Sequence, residues 1–190
     1  MRKALLTVGA CAVLLPLIGA VQRLQPDADR VYRPIAATGR IGQEVRTPPY
    51  TVRVDGVASG RELRVAGFLG KTSRQAAKGV WVVVGLTATA TQEDVALGRV
   101  TLRAPDGRTF AATDRFTGLD TVTLRPGIPV SGQVAFELPA AAVKGAVLDI
   151  SRPAYGDVFR PSGALGPAVE IELRLDGTAA PTVSMTEADT

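Results

Sequence analysis

The chain has 190 residues with a formal net charge of +4, no histidine and a single cysteine. Without histidine it can build neither a Ser-His-Asp nor a Cys-His hydrolase, nor a histidine-ligated metal centre. Charges of both signs are interspersed and aromatics make up only 5%, which argues against a nucleic-acid partner.

Residues 4–21, ALLTVGACAVLLPLIGAV, are uninterruptedly apolar behind Arg2 and Lys3. As a helix rising 1.5 Å per residue they would cover roughly 27 Å, close to the ~30 Å hydrocarbon core of a bilayer. Residues 1–22 are therefore expected to form an N-terminal transmembrane helix, a signal anchor with its basic head inside. Two other readings stay open. Ile18-Gly19-Ala20 could end a cleaved signal peptide, giving a secreted chain, although Ile18 stands where a small residue is wanted. Val8-Gly9-Ala10-Cys11 resembles a lipobox, but a long apolar run follows Cys11 where a polar linker is usual. Two of the 22 basic residues, Arg2 and Lys3, precede the run, which leaves 20 against 18 acidic ones. The only cysteine lies in the run, so the rest of the chain has no disulfide.

Residues 23–42 mix Pro, Asp, Arg and Ala without period and read as a linker. Tyr50, Val52 and Val54 alternate with polar residues, the signature of a half-buried strand. Leu63 and Val65 suggest a short second strand. Arg61, Arg64, Lys71, Arg74 and Lys78 against Glu62 form the most basic stretch, read as a solvated loop rather than a surface for anionic headgroups or wall polymers. Gly79–Thr91, GVWVVVGLTATAT, is β-branched and apolar on both faces, so it is expected to be central, with Trp81 as core aromatic. Arg99–Arg103 alternates again. Ala104-Pro105-Asp106-Gly107 is a turn, with Pro presetting φ and Gly accepting a positive one, and Arg108–Thr113 returns as the paired strand. Thr121–Leu124 leads into the turn Arg125-Pro126-Gly127. Val130, Val134, Phe136 and Leu138 share a face until Pro139 stops the strand, and Pro139–Lys144 could make one helical turn. Val147–Ile150 is a short strand. Val169, Ile171, Leu173 and Leu175 alternate strictly with charged residues, which demands one buried and one wet side, the antiparallel case. Residues 176–190 read as a loose, flexible tail.

The sum is all-β: an immunoglobulin-like antiparallel β-sandwich of about seven to nine strands over residues 43–175, preceded by the transmembrane helix. Several stretches carry a resemblance. Gly42-Gln43-Glu44-Val45 with Tyr50-Thr51-Val52, Val80–Val84, Asp106–Phe110, and Leu124–Gly127 with Gly132–Pro139 resemble the immunoglobulin-like domain of unknown function found in secreted and lipid-anchored proteins of Gram-positive bacteria. That domain is related in fold to a small secreted mycobacterial immunogen. The Pro-Gly turn followed by a strand ending in Phe-x-x-Pro is its most specific part. The family often has Asn closing the central strand, where this chain has Thr89 or Thr91. The resemblance implies a surface-exposed sandwich and no activity.

Chemistry is sparse. Asp106, Asp114, Asp120 and Asp157 fall in expected turns, where aspartate is ordinary, and none has calcium-loop spacing. No cofactor or metal is expected, and no enzymatic activity. The candidate for protein binding is the loop Pro153–Pro161, with Tyr155, Asp157, Phe159 and Arg160, because Tyr and Arg are favoured contact residues and loops at a sandwich end carry recognition. The functional expectation is a membrane-anchored, extracytoplasmic, non-enzymatic binding or adaptor module, held in the cell membrane by one helix and meeting a protein partner at the cell surface. The alternative is an accessory subunit of a membrane transporter or secretion complex, its anchor packing through Gly9, Ala10, Gly19 and Ala20.

Overall fold

The computed structural model describes residues 35–67, 71–151 and 167–188. Twelve strands run through these residues: β1 (Ile35–Arg40), β2 (Glu44–Arg46), β3 (Tyr50–Ala66), β4 (Thr72–Ala90), β5 (Val95–Ala96), β6 (Arg99–Arg103), β7 (Thr109–Ala111), β8 (Thr123–Leu124), β9 (Val130–Leu138), β10 (Val147–Ser151), β11 (Pro167–Glu172) and β12 (Ala180–Thr186). The helical backbone among them amounts to two 3₁₀ turns, Leu119–Thr121 and Ala140–Ala142.

One sheet has the order β1-β11-β10-β6-β7 and the other β12-β3-β4-β9, with β2 also on β3 and β5-β8 as a separate pair. The alternation in β4 builds the centre. Val80, Val82, Val84, Leu86, Ala88 and Ala90 point at the facing sheet, where Val100, Leu102, Leu148, Ile150, Val169 and Ile171 meet them. Tyr50 and Phe136 are the large aromatics of this interior, both fully buried. The Tyr50 hydroxyl reaches across to the Ile150 carbonyl at 3.5 Å, which ties β3 to β10. At Gly107 the backbone has φ +86, the conformation the β6–β7 turn needs.

A second cluster lies on the other face of β4. Trp81 and Val83, with Ala135 of β9, are covered by Leu63, Val65, Val183 and Met185. The cover exists because the β3–β4 ladder breaks. Pairing runs from Tyr50↔Ala90 to Gly60↔Trp81, then resumes at Glu62↔Ala76, leaving Arg61 and residues 77–80 without partners across it. A bulge bends the strand that carries it. The distal hairpin therefore departs from the sheet plane, and β12 pairs parallel to its β3 arm from Ala180↔Gly60 to Thr186↔Ala66. These three arms are called the flap below.

Several expectations need correction. The sandwich is all-β, but its sheets are mixed: β1 is parallel to β11 and β12 to β3. The strict alternation around Ile171 therefore does not imply antiparallel neighbours on both sides; β11 is antiparallel to β10 and parallel to β1. Strand number exceeds the expected range because short edge pairs such as β5–β8 carry almost no periodicity. Residues 35–40, expected as linker, form β1, and residues 180–186, expected as tail, form β12. Trp81 is buried, but on the flap side rather than in the interior between the sheets.

The transmembrane helix is the largest correction. No helix among the described residues is long and apolar enough to cross a membrane, their helical backbone being the two 3₁₀ turns. Residues 1–22, on which that expectation rested, lie outside the described residues. The readings that depended on the helix are withdrawn with it: the signal anchor, the membrane as partner, the single-pass cell-membrane location and the accessory subunit of a transporter or secretion complex.

Candidate functional site

The bulge that launches the flap also opens a cleft at its root, of about 690 Å³. Arg61 comes from the unpaired position of β3, Lys78 and Gly79 from the unpaired stretch of β4, Pro139 and Ala140 from the end of β9, and Gly177–Ala179 from the approach to β12. Its charged lining is wholly basic. Among the described residues neither the Arg61 nor the Lys78 side chain has an ion-pair partner. Gly79 has no room for a side chain, because a Cβ there would run into the Leu138 carbonyl.

A smaller hollow adjoins it, sharing Lys78, Gly79 and Pro139 and adding Arg115 and Glu137. Glu137 is engaged on both oxygens. Oε1 accepts the Lys78 backbone N–H at 2.8 Å, and Oε2 stands 4.0 Å from the Arg115 guanidinium. A third concavity, on the outer face of the other sheet, brings Arg40, Gln43 and Glu172 around an Arg103–Glu170 ion pair of 2.8 Å. This pair is partly exposed and contributes on the order of 0–1 kcal/mol.

Of the aspartates singled out from the sequence, Asp106, Asp114 and Asp120 do not gather into one cluster, and Asp157 lies outside the described residues. Asp106 closes its own turn, accepting the Arg108 backbone N–H at 3.1 Å and the guanidinium at 2.8 Å. That backbone hydrogen bond, with the help of the guanidinium, holds its carboxyl below the ordinary range. Asp120 sits in the first 3₁₀ turn, where burial pushes its carboxyl up against a weaker stabilising bond from its own backbone. Burial also opposes ionisation of Asp55, but hydrogen bonds from Thr87 and Arg53 outweigh it and hold its carboxyl low. Asp176 is held low by the Thr178 hydroxyl and backbone N–H, at 2.6 and 2.8 Å. Among the described residues no group of three His, Cys, Asp or Glu stands together to hold a metal. These carboxylates act as fasteners of turns and strands.

Tyr155, Asp157, Phe159 and Arg160 lie outside the described residues. The basic cleft was half legible: Arg61 and Lys78 were noted as ends of the most basic stretch. Nothing local to either showed that a break in strand pairing brings them into one concavity.

No family model and no curated protein matches the chain. Solved structures resemble it in fold. An uncharacterised β-sandwich protein from Clostridium difficile 630 superposes with a TM-score of 0.49 at 11% identity, covering 78% of this chain and 99% of its own. MPT63, a secreted protein from Mycobacterium tuberculosis, gives 0.48 at 16% identity, covering 72% and 97%. The YjhA protein from Bacillus subtilis gives 0.45 at 14% identity, covering 70% and 99%. The chain is similar to these bacterial proteins in fold alone, with no activity, ligand or location carried across.

Proposed function

We propose that the chain is a recognition domain that contacts a partner protein through the connection between β10 and β11. One observation carries this reading. Ser151 and Ala168 are direct partners in the β10–β11 ladder, so a tight hairpin of roughly two to five residues would join these strands. The chain instead spends residues 152–166 there, including Tyr155, Asp157, Phe159 and Arg160. Connections of such length within a compact domain are uncommon, and functional loops are one of their two usual kinds, linkers being the other. Two aromatics, an acid and an arginine are a composition suited to an interface centre. The sandwich on either side supplies a rigid base, since β10 lies between β11 and β6.

The test is chemical crosslinking in intact producing cells, comparing the natural chain with a variant carrying Tyr155→Ala, Asp157→Ala, Phe159→Ala and Arg160→Ala. A discrete adduct with the natural chain should vanish with the variant while its melting temperature stays unchanged. An adduct that persists in the variant sinks the proposal, as does the absence of any adduct.

A further inference from the structure

We infer that the cleft at the root of the flap binds a small phosphate-bearing ligand, with Arg61 and Lys78 as its two anion contacts. The argument starts from the broken ladder. Arg61 on β3 and Lys78 on β4 both fall where the two strands lose register. A bulge frees its residues from the pairing pattern and re-aims their side chains, and such features recur beside functional sites. Here the same irregularity releases one cation from each strand, and both line one cleft. At about 690 Å³ it falls within the range of roughly 300–1,000 Å³ usual for small-molecule sites.

The two cations differ in chemistry. A guanidinium offers a planar fork to two oxygens of one anion, whereas an ammonium is a compact point charge with three rotatable donors. A phosphate monoester carries close to two charges on one tetrahedral centre, so a single group can satisfy both. A lone carboxylate brings one charge and leaves the second cation uncompensated.

The neighbouring acids are themselves offset in part by basic groups outside the cleft. Glu137 faces Lys78 from β9, but one of its oxygens holds the Lys78 backbone N–H and the other faces Arg115. Asp176 adjoins Gly177 of the opposite wall and is held ionised by Thr178, its charge offset in part by Lys144. The rest of the lining is small residues, apolar apart from Thr178, and at Gly79 the Leu138 carbonyl leaves no room for a side chain.

The test is a titration of the full chain with inorganic phosphate at constant ionic strength, followed through backbone amide chemical shifts. Saturable shifts are expected at Gly79, Ala140 and Thr178. Arg61→Gln or Lys78→Gln should each weaken binding about tenfold or more, the loss of one charge-assisted contact, and the double variant should abolish it. Arg64→Gln and Arg74→Gln, exposed like Arg61 and Lys78 but outside the cleft lining, should leave it unchanged. Unchanged Trp81 fluorescence in each variant confirms the fold. Shifts that never saturate, that survive the double variant, or that follow Arg64 and Arg74 overturn the inference. Succinate should bind at least about tenfold more weakly than phosphate, since its two charges sit on separate centres; equal or tighter binding of succinate overturns the assignment to phosphate. None of these outcomes depends on the β10–β11 connection.

Discussion

At the scale of single residues, the carboxylates divide by what surrounds them. Asp55 and Asp176 accept hydrogen bonds that favour the charged form, and both are held low. Asp120 is half-buried and is pushed up by desolvation. The consequence for stability has opposite signs. A carboxyl whose folded value is raised stabilises the fold below its unfolded value, and that contribution is lost as pH rises through the folded value. Ionised Asp120 therefore weighs against the fold at neutral pH. Asp120→Asn should raise the melting temperature at pH 7, and the gain should disappear as the pH is lowered past the ordinary carboxylate range. Thermal melts across a pH series check this, and a variant less stable than the natural chain at neutral pH contradicts it. Asp55 has the reverse sign: its contribution is present above the ordinary carboxylate value and is lost as pH falls through the folded one.

Among the elements, β12 changes what the neighbouring strands can be. Trp81 and Val83 project away from the interior between the sheets, on a face that would otherwise meet water. Val183 and Met185 close that face together with the distal arm of β3. Gly60 permits the close approach, since a Cβ there would press on the Val183 backbone nitrogen at 2.7 Å. Backbone bonds from Glu187 to Ala66 and from Ala188 to Thr117 fasten its end. Each fully buried side chain of this size contributes about 1.5–3 kcal/mol. A chain ending at Thr178 should therefore melt at lower temperature. Trp81 is the sole tryptophan, so its emission should move to longer wavelength while the far-ultraviolet spectrum stays β. Unshifted emission would mean that something other than β12 shields the ring.

For the molecule as a whole, the two clusters set a gradient of stability. The interior between the sheets gathers 27 buried residues among those described, and the cluster under the flap gathers seven. Local opening is cheapest where few apolar contacts must be given up. The flap holds the smaller cluster; its β3 and β4 arms leave the sheet at the bulge by Arg61 and Lys78, and it rests on Trp81, Val83 and Ala135 and on the Ala188–Thr117 backbone bond. Amide hydrogen exchange should thus show β12 and the distal β3 arm opening well before the centres of β4 and β9. Equal protection throughout would show the flap and sandwich to be one unit, and a phosphate that binds the cleft should slow exchange at the flap's root.

Short-range chemistry carried most of what was legible. Period-two alternation in Tyr50–Val54, Arg99–Arg103 and Val130–Leu138, the β-branched run at Val80–Leu86 and the turn at Pro105-Asp106-Gly107 are local properties, and they specified strands, turns and an all-β sandwich. Pairing is not local. Whether Ile171 has parallel or antiparallel neighbours depends on which strands arrive beside it, and one alternating pattern serves either. The sequence 180–186 looks like tail because its burial comes from Leu63 and Trp81, more than a hundred residues away. The cleft is of the same kind: Arg61 and Lys78 were visible as two charges in a basic stretch, but a break in the β3–β4 register places them together. Composition alone determined which side chains seek shelter from water; only the tertiary structure decided which surface shelters them, because burial is a relation between segments and not a property of one.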